Sequence, residues 1–154
     1  MKINYFIIPL ITIAVAYFGG VATDKGLENW YYNLNLPEIA PPGYFIGLMW
    51  TIIYILTTIS ALIVWNKLKK DKDFKLIIFL FLINGFLNFL WSYLFFGLNF
   101  IYTAFIEMII LNIVNLWLII ILRKKNLLSS ILLIPYFIWV CFATYLTYLI
   151  LTLN

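Results

Sequence analysis

The chain has no histidine, one cysteine (Cys141) and few charges: Lys and Arg together number 10, Asp and Glu 6. Without histidine, Ser-His-Asp chemistry and histidine proton relays are excluded. One cysteine cannot close an intramolecular disulfide, and the scattered acids do not cluster into a metal site. No paired carboxylates lie within helical reach, no nucleophile stands beside a base, and no glycine-rich phosphate loop occurs. The net charge of +4 is small, and no nucleic-acid partner is expected. Only 10% of residues are charged, where soluble proteins carry roughly 25%.

What fills the chain instead is apolar: 66% of its 154 residues, with a mean hydropathy of +1.06. A globular fold of this size could not hide that much apolar surface, so lipid must be its solvent. Apolar segments at about 3–22, 43–66, 74–96, 100–122 and 127–152 are each long enough to cross a hydrocarbon core of roughly 30 Å as a helix. Barrel strands would be shorter and would alternate with polar residues. The expected fold is therefore an all-α membrane protein, a single domain of five transmembrane helices with a long structured loop over about 23–42. Gly20-Val21-Ala22 imitates a signal-peptidase site, but the preceding apolar run is long for a signal peptide, and the segment reads as an uncleaved first helix. The short later connections predict that sequential helices are antiparallel neighbours.

Charge sets the expected orientation. Lys67, Lys69, Lys70, Lys72 and Lys75 flank the second connection, and Arg123, Lys124 and Lys125 the fourth. Both fall at the same end of a five-helix bundle. The positive-inside rule places that end and the N-terminus in the cytoplasm, with the first loop and the C-terminus outside. Short termini and Lys/Asn/Ile-heavy usage point to a bacterial cytoplasmic membrane. Binding of anionic lipid head groups is a second reading of the lysines.

Polar residues inside a spanning helix are expensive and turn toward protein or a cavity. Asn84, Asn88, Trp91, Ser92 and Phe95 form one stripe on the third helix. Gly47, Trp50, Tyr54, Thr57, Thr58 and Ala61 form another on the second, and Pro135, Trp139, Ala143 and Thr147 a third on the fifth. The fourth helix offers Thr103, Glu107 and Asn115, with Asn112 at its flank. Amides and hydroxyls in such stripes serve either as interhelical glue or as pocket wall. Trp50, Trp91 and Trp139 lie too deep for an interfacial belt, where Trp30, Tyr31, Tyr32, Trp65 and Tyr148 fit. Glu107 is expected to reach the head groups or the N-terminal dipole of its own helix. An aromatic cavity with a few amides and hydroxyls suits a flat, largely apolar ligand. Ion-coupled transport is disfavoured, since paired intramembrane charges and internal repeats are lacking.

Three blocks in order carry a resemblance. Trp30-Tyr31, Leu36-Pro37, Pro41-Pro42, Trp50 and Tyr54 resemble WYxxLxKPxWxPPxxxFxxxWxxLY. NFLWSYLFFG (88–97) resembles LNxxWSPLFFG, and PYFIWVCFATYLTYLILTLN (135–154) resembles PYLxWVxFATYLNxxIWxLN. These belong to the translocator protein family, also called tryptophan-rich sensory proteins or peripheral-type benzodiazepine receptors (TspO/MBR). The resemblance implies a homodimeric five-helix membrane receptor or sensor. It would bind porphyrins such as protoporphyrin IX, or other flat apolar molecules, with no cofactor required and membrane lipid as a further partner. Carried over by position, Tyr31 and Pro41 would form a lid, and Trp50, Asn88, Trp91, Phe95, Trp139 and Ala143 would line the cavity. Gly47, Tyr54, Asn84 and Thr147 join them from the stripes. Light-dependent porphyrin degradation, implied for some bacterial members, would use Trp50 and Trp139 as catalytic residues; tetrapyrrole or lipid transport is a further alternative. Ala40 stands where the family usually has tryptophan, which removes a lid aromatic. Tyr93 replaces the proline of WSP, so a straighter third helix is expected. No Lys or Arg follows Tyr145 or Tyr148, which lowers the expectation of sterol binding.

The stretch LPEIAPPGYFIGLMW (36–50) gains a mechanical reading. Pro37, Pro41 and Pro42 fix φ and remove donors, which predicts a stiff strap with little ordering entropy left to lose on binding. Pro42 or Gly43 opens the second helix, and Trp50 falls two turns below the strap.

Overall fold

The structure, a computed structural model, describes residues 3–154, without the side chains of Glu28 and Asn29. Among the described residues, five α-helices are long and apolar enough to cross a membrane. They are α1 (Asn4–Asn29), α2 (Gly43–Lys67), α3 (Phe74–Ser92), α4 (Ile101–Lys125) and α5 (Leu127–Leu153). In lipid, backbone groups find no water to bond, so continuous helices satisfy them internally; Pro9 and Pro135 lie inside α1 and α5, each omitting one such bond.

The first helix is longer than its apolar run. Expected to stop near 22, α1 continues through Thr23-Asp24-Lys25-Gly26-Leu27-Glu28-Asn29. Hydropathy marks where lipid ends rather than where a helix ends, and tertiary packing holds the extra turns. A Cβ on Gly26 would sit 2.6 Å from Cβ and the carbonyl oxygen of Phe96, so only glycine allows this approach. The loop is correspondingly shorter, a 3-10 turn at Tyr31–Asn33 followed by extended chain to Pro42.

The α3 end also departs from expectation. The α-helix yields at Tyr93 to a π turn over Tyr93–Gly97. The Leu98 N–H donates to the Tyr93 carbonyl at 2.9 Å, five residues back. With proline absent at 93 the chain does not straighten. It widens, and both Phe95 and Phe96 meet Tyr31, at ring-centroid distances of 6.2 and 5.6 Å. Asn99 then takes a left-handed φ of 59°, which asparagine tolerates better than most residues.

At the opposite end α4 runs to Lys125, placing Arg123, Lys124 and Lys125 in its last turn, where cations complement the helix dipole. Asn126 is the whole turn. Its extended backbone stops α4, and its side chain accepts the Ser129 N–H at 3.0 Å, capping α5.

Packing closes a ring in the order α1, α2, α5, α4, α3. Sequential adjacency, expected from short loops, therefore fails once. α2 and α3 are joined by residues 68–73 yet barely touch, because both flank α1 and face each other across the bundle. The densest seam is α4 against α5, with Met108, Leu111, Leu118, Leu122, Leu133 and Val140 almost wholly buried. Interhelical hydrogen bonds add to it: Asn112 Nδ2 donates to Thr144 Oγ1 at 2.9 Å, and Ser130 Oγ to the Ile119 carbonyl at 2.9 Å.

Candidate functional site

The gap between α2 and α3 is not filled evenly. Halfway down, Tyr54 OH donates to Asn88 Oδ1 at 2.7 Å, and Asn88 Nδ2 donates to Tyr136 OH at 3.1 Å. This three-residue bridge ties α2, α3 and α5 together. It separates a larger cavity, on the side of the 30–42 loop, from a smaller one on the side of the lysines.

The larger cavity has a volume of about 520 Å³, within the range of small-molecule sites. Its walls hold Trp50 stacked on Tyr54 at 5.9 Å, Trp91 stacked on Phe95 at 5.7 Å, and Trp139 beside Phe142 at 5.5 Å. Trp50 and Trp91 approach each other to 6.1 Å. The indole Nε1 atoms of Trp91 and Trp139 are buried with no partner. These two donors are enclosed by protein, and the polar groups of the cavity wall come from Thr23, Asp24, Ser92 and Thr147 beside its tyrosines.

The roof is the strap. Leu36, Ala40, Pro41 and Pro42 line the cavity from above, together with Tyr31 and Tyr32. The Ala40 N–H donates to the Pro37 carbonyl at 2.9 Å, closing a turn. Pro42 is extended at φ −63°, ψ 148° and its carbonyl accepts the Phe45 N–H, so it caps α2 and Gly43 is the first helical residue. Tyr31 is only 8% exposed, which removes it from the interfacial belt, and burial raises the pKa of its phenol. Farther along, the loop is fastened to the end of α5. The Asn35 N–H donates to Asn154 Oδ1 at 2.9 Å, and Asn154 Nδ2 returns a bond to the Asn35 carbonyl at 3.2 Å.

Of the residues singled out from sequence, Tyr31, Pro41, Gly47, Trp50, Tyr54, Trp91, Phe95, Trp139, Ala143 and Thr147 line this one cavity. Asn84 and Asn88 do not. They face the smaller cavity with Thr57 and Ala61, and Asn84 Nδ2 is engaged by Asn115 Oδ1 at 3.0 Å. Each stripe on α2 and α3 thus splits at the bridge, aromatic on one side and amide or hydroxyl on the other. Thr58 is glue, donating to Thr12 of α1 at 3.0 Å. Pro135 lines neither cavity, Thr103 is exposed, and α4 contributes to neither wall. Glu107 does not reach the head groups: it is 5% exposed and both carboxylate oxygens lack a partner. Among the described residues, no group of three His, Cys, Asp or Glu side chains could hold a metal.

Sequence reasoning missed a whole wall. Ala16, Gly19, Gly20, Thr23, Asp24 and Leu27 of α1 line the larger cavity. The signal was present as small residues at i, i+3, i+4 and i+7, a face that leaves room beside it.

Comparison with known proteins decides the kinship. Residues 7–153 match the TspO/MBR family. The chain belongs to that family. It is 34% identical to the tryptophan-rich protein TspO of Bacillus cereus, covering all of this chain and 99% of that one. It is also 34% identical to the protein of the same name from Archaeoglobus fulgidus, over 94% and 93% of the two chains. The human translocator protein is 28% identical over 80% of this chain and 73% of its own. This TspO/MBR protein is accordingly an integral membrane protein, and its larger cavity lies where the three sequence blocks meet.

Proposed function

We propose that this protein is a membrane receptor for porphyrins, protoporphyrin IX among them, and related flat apolar molecules, held in the larger cavity. The observation that carries the reading is the cavity itself: tryptophans on three helices under a proline-stiffened roof. Aromatic faces offer stacking to a planar ring. In this reading the lysine-rich end and the start of α1 lie in the cytoplasm, with the strap and the end of α5 outside; the positive-inside rule supports it. The roof then meets ligand from the outer side.

Titration of the purified protein with protoporphyrin IX, followed by tryptophan fluorescence, tests this. Saturable quenching is expected, with affinity at least tenfold weaker in Trp139→Ala, or about 1.4 kcal/mol. Trp139→Phe, which keeps a ring and removes the N–H, should fall between. Absent saturation in the wild type, or an unchanged affinity in Trp139→Ala, would sink the reading.

A second reading follows from Trp50 and Trp139 lining the same cavity. Illuminated in air, a bound porphyrin would be oxidised by dioxygen, with these indoles taking part. Porphyrin absorbance should then decay more slowly in Trp50→Phe and Trp139→Phe. Equal decay leaves the protein a binder.

A further inference from the structure

The smaller cavity is a different object. Its volume is about 320 Å³. It follows α1 from Asn4 to Val15, which at 1.5 Å per residue is about 16 Å of length. A space so long for its volume is a slot. Its lining is aliphatic, with Ile7, Ile11, Ile53, Ile78 and Leu82 along it and the Tyr54–Asn88–Tyr136 bridge as its inner end. Ile7, Ile11 and Leu82 line it while being 45%, 44% and 52% exposed, so the slot is open sideways at α1 and α3, toward what would be lipid.

The other end carries charge. Asn4 and Trp65 mark it, and Lys75 lies three residues before Ile78 and seven before Leu82, on the α3 face that lines the slot. The acids of the intervening loop do not neutralise Lys75, because Asp71 and Asp73 are both taken by Lys125, at 2.7 Å each. Lys75 is exposed and forms no ion pair among the described residues.

We infer that the slot holds one acyl chain of an anionic phospholipid from the leaflet at the lysine end, with its phosphate against Lys75. Branched aliphatic walls fit an alkyl chain and would waste a flat aromatic ring. The lateral opening admits a chain that remains attached to its glycerol. Lys75 selects for negative charge, contributing roughly a factor of five for an anionic surface. The inference does not depend on what the larger cavity binds.

Native mass spectrometry of the full chain with phosphatidylglycerol and phosphatidylcholine of identical chains provides the test. One phosphatidylglycerol per protein should be retained, and phosphatidylcholine much less. Lys75→Gln should weaken phosphatidylglycerol roughly fivefold, and Lys67→Gln, on another face of α2, should leave it unchanged. Ala61→Phe, which fills the slot, should abolish retention while protoporphyrin IX titration of the same protein is unchanged. Thr57 Oγ1 is a buried hydroxyl in the slot wall with no partner. Thr57→Val keeps the shape and should leave binding equal or tighter. Equal retention of the two lipids, persistence in folded Ala61→Phe, or loss in Thr57→Val would each overturn the assignment. The last would mean a polar occupant. Competition by soluble glycerol phosphate at equal concentration would likewise overturn it, in favour of a free phosphate.

Discussion

The two cavities lie end to end, share Tyr54 and are walled by the same α1, α2 and α3, yet they are built from different side chains. Toward the strap, α1 presents Ala16, Gly19, Gly20 and Thr23, and the facing helices answer with tryptophans. Toward the lysines, α1 presents Ile7, Ile8, Ile11 and Thr12, and its neighbours answer with Ile53, Ile78 and Ala61. Small residues opposite large rings leave a flat space, whereas isoleucines of α1 facing Ile53, Ile78 and Leu82 leave a narrow one. One bundle thus offers two shapes, divided by a hydrogen-bonded bridge. The closures differ in kind as well: neutral amide bonds between Asn35 and Asn154 at one end, ion pairs from Lys125 to Asp71 and Asp73 at the other.

The largest effect is expected where the upper space depends on contact without a side chain. In Gly26→Ala the new Cβ would lie 2.6 Å from Phe96 backbone and side-chain atoms, and α1 must move away from the π turn. Overpacking of this kind costs about 1–3 kcal/mol, here against a backbone that cannot rotate aside. Gly20→Ala, with nothing within 4 Å of its Cβ, is the control and should hold or raise stability by up to roughly 1 kcal/mol. Thermal unfolding in detergent reads both. Equal melting temperatures would mean that α1 does not seat on Phe96.

Breaking the bridge should blur the distinction between the cavities. Asn88→Leu removes the acceptor of Tyr54 OH and the donor to Tyr136 OH. Two buried hydroxyls would lose their partners, at about 1–3 kcal/mol for each such loss in proteins generally and nearer 0.6 kcal/mol for a typical interhelical bond in a membrane. A destabilisation of roughly 1–2 kcal/mol is expected, with changed affinity for ligands in both cavities, since Tyr54 lines each. If only one cavity responds, the bridge is not a shared wall.

The helices, their number and the aromatic face were legible because hydropathy and 3.6-residue spacing depend on local sequence alone. Three features were not. The end of α1 was hidden because Asp24, Lys25 and Glu28 mark the edge of lipid, while the helix is held by Gly26 against Phe96. The ring order was hidden because a short connection over 68–73 ties two ends without making α2 and α3 pack. The roles of Asn84 and Asn88 were hidden because spacing gives a shared face but not depth. Both sit on the stripe of Trp91 and Phe95, yet their partners Asn115, Tyr54 and Tyr136 hold them at or below the bridge.

The smallest expected effect separates the two closures by pH. Asp71 has its pKa lowered from 3.8, chiefly by the side-chain hydrogen bond from Lys125 and then by the Asp73 backbone bond. A group whose folded pKa is depressed stabilises the fold fully above its unfolded value, and that contribution drains away as pH falls through the folded value. The tie is thus constant down to about pH 4 and weakens only below it. Both partners are near the surface, so the contribution is small. Comparing wild type with Lys125→Gln should show a slight melting-temperature difference that is steady near neutral pH and shrinks as pH falls below about 4 toward the lowered pKa of Asp71. The Asn35–Asn154 bonds are made by neutral amide groups, so the difference between wild type and Asn154→Ala should stay flat over the same range. If the Asn154→Ala difference also collapsed in acid, the two ends would be coupled through the bundle, and the independence of the two cavities would be lost with it.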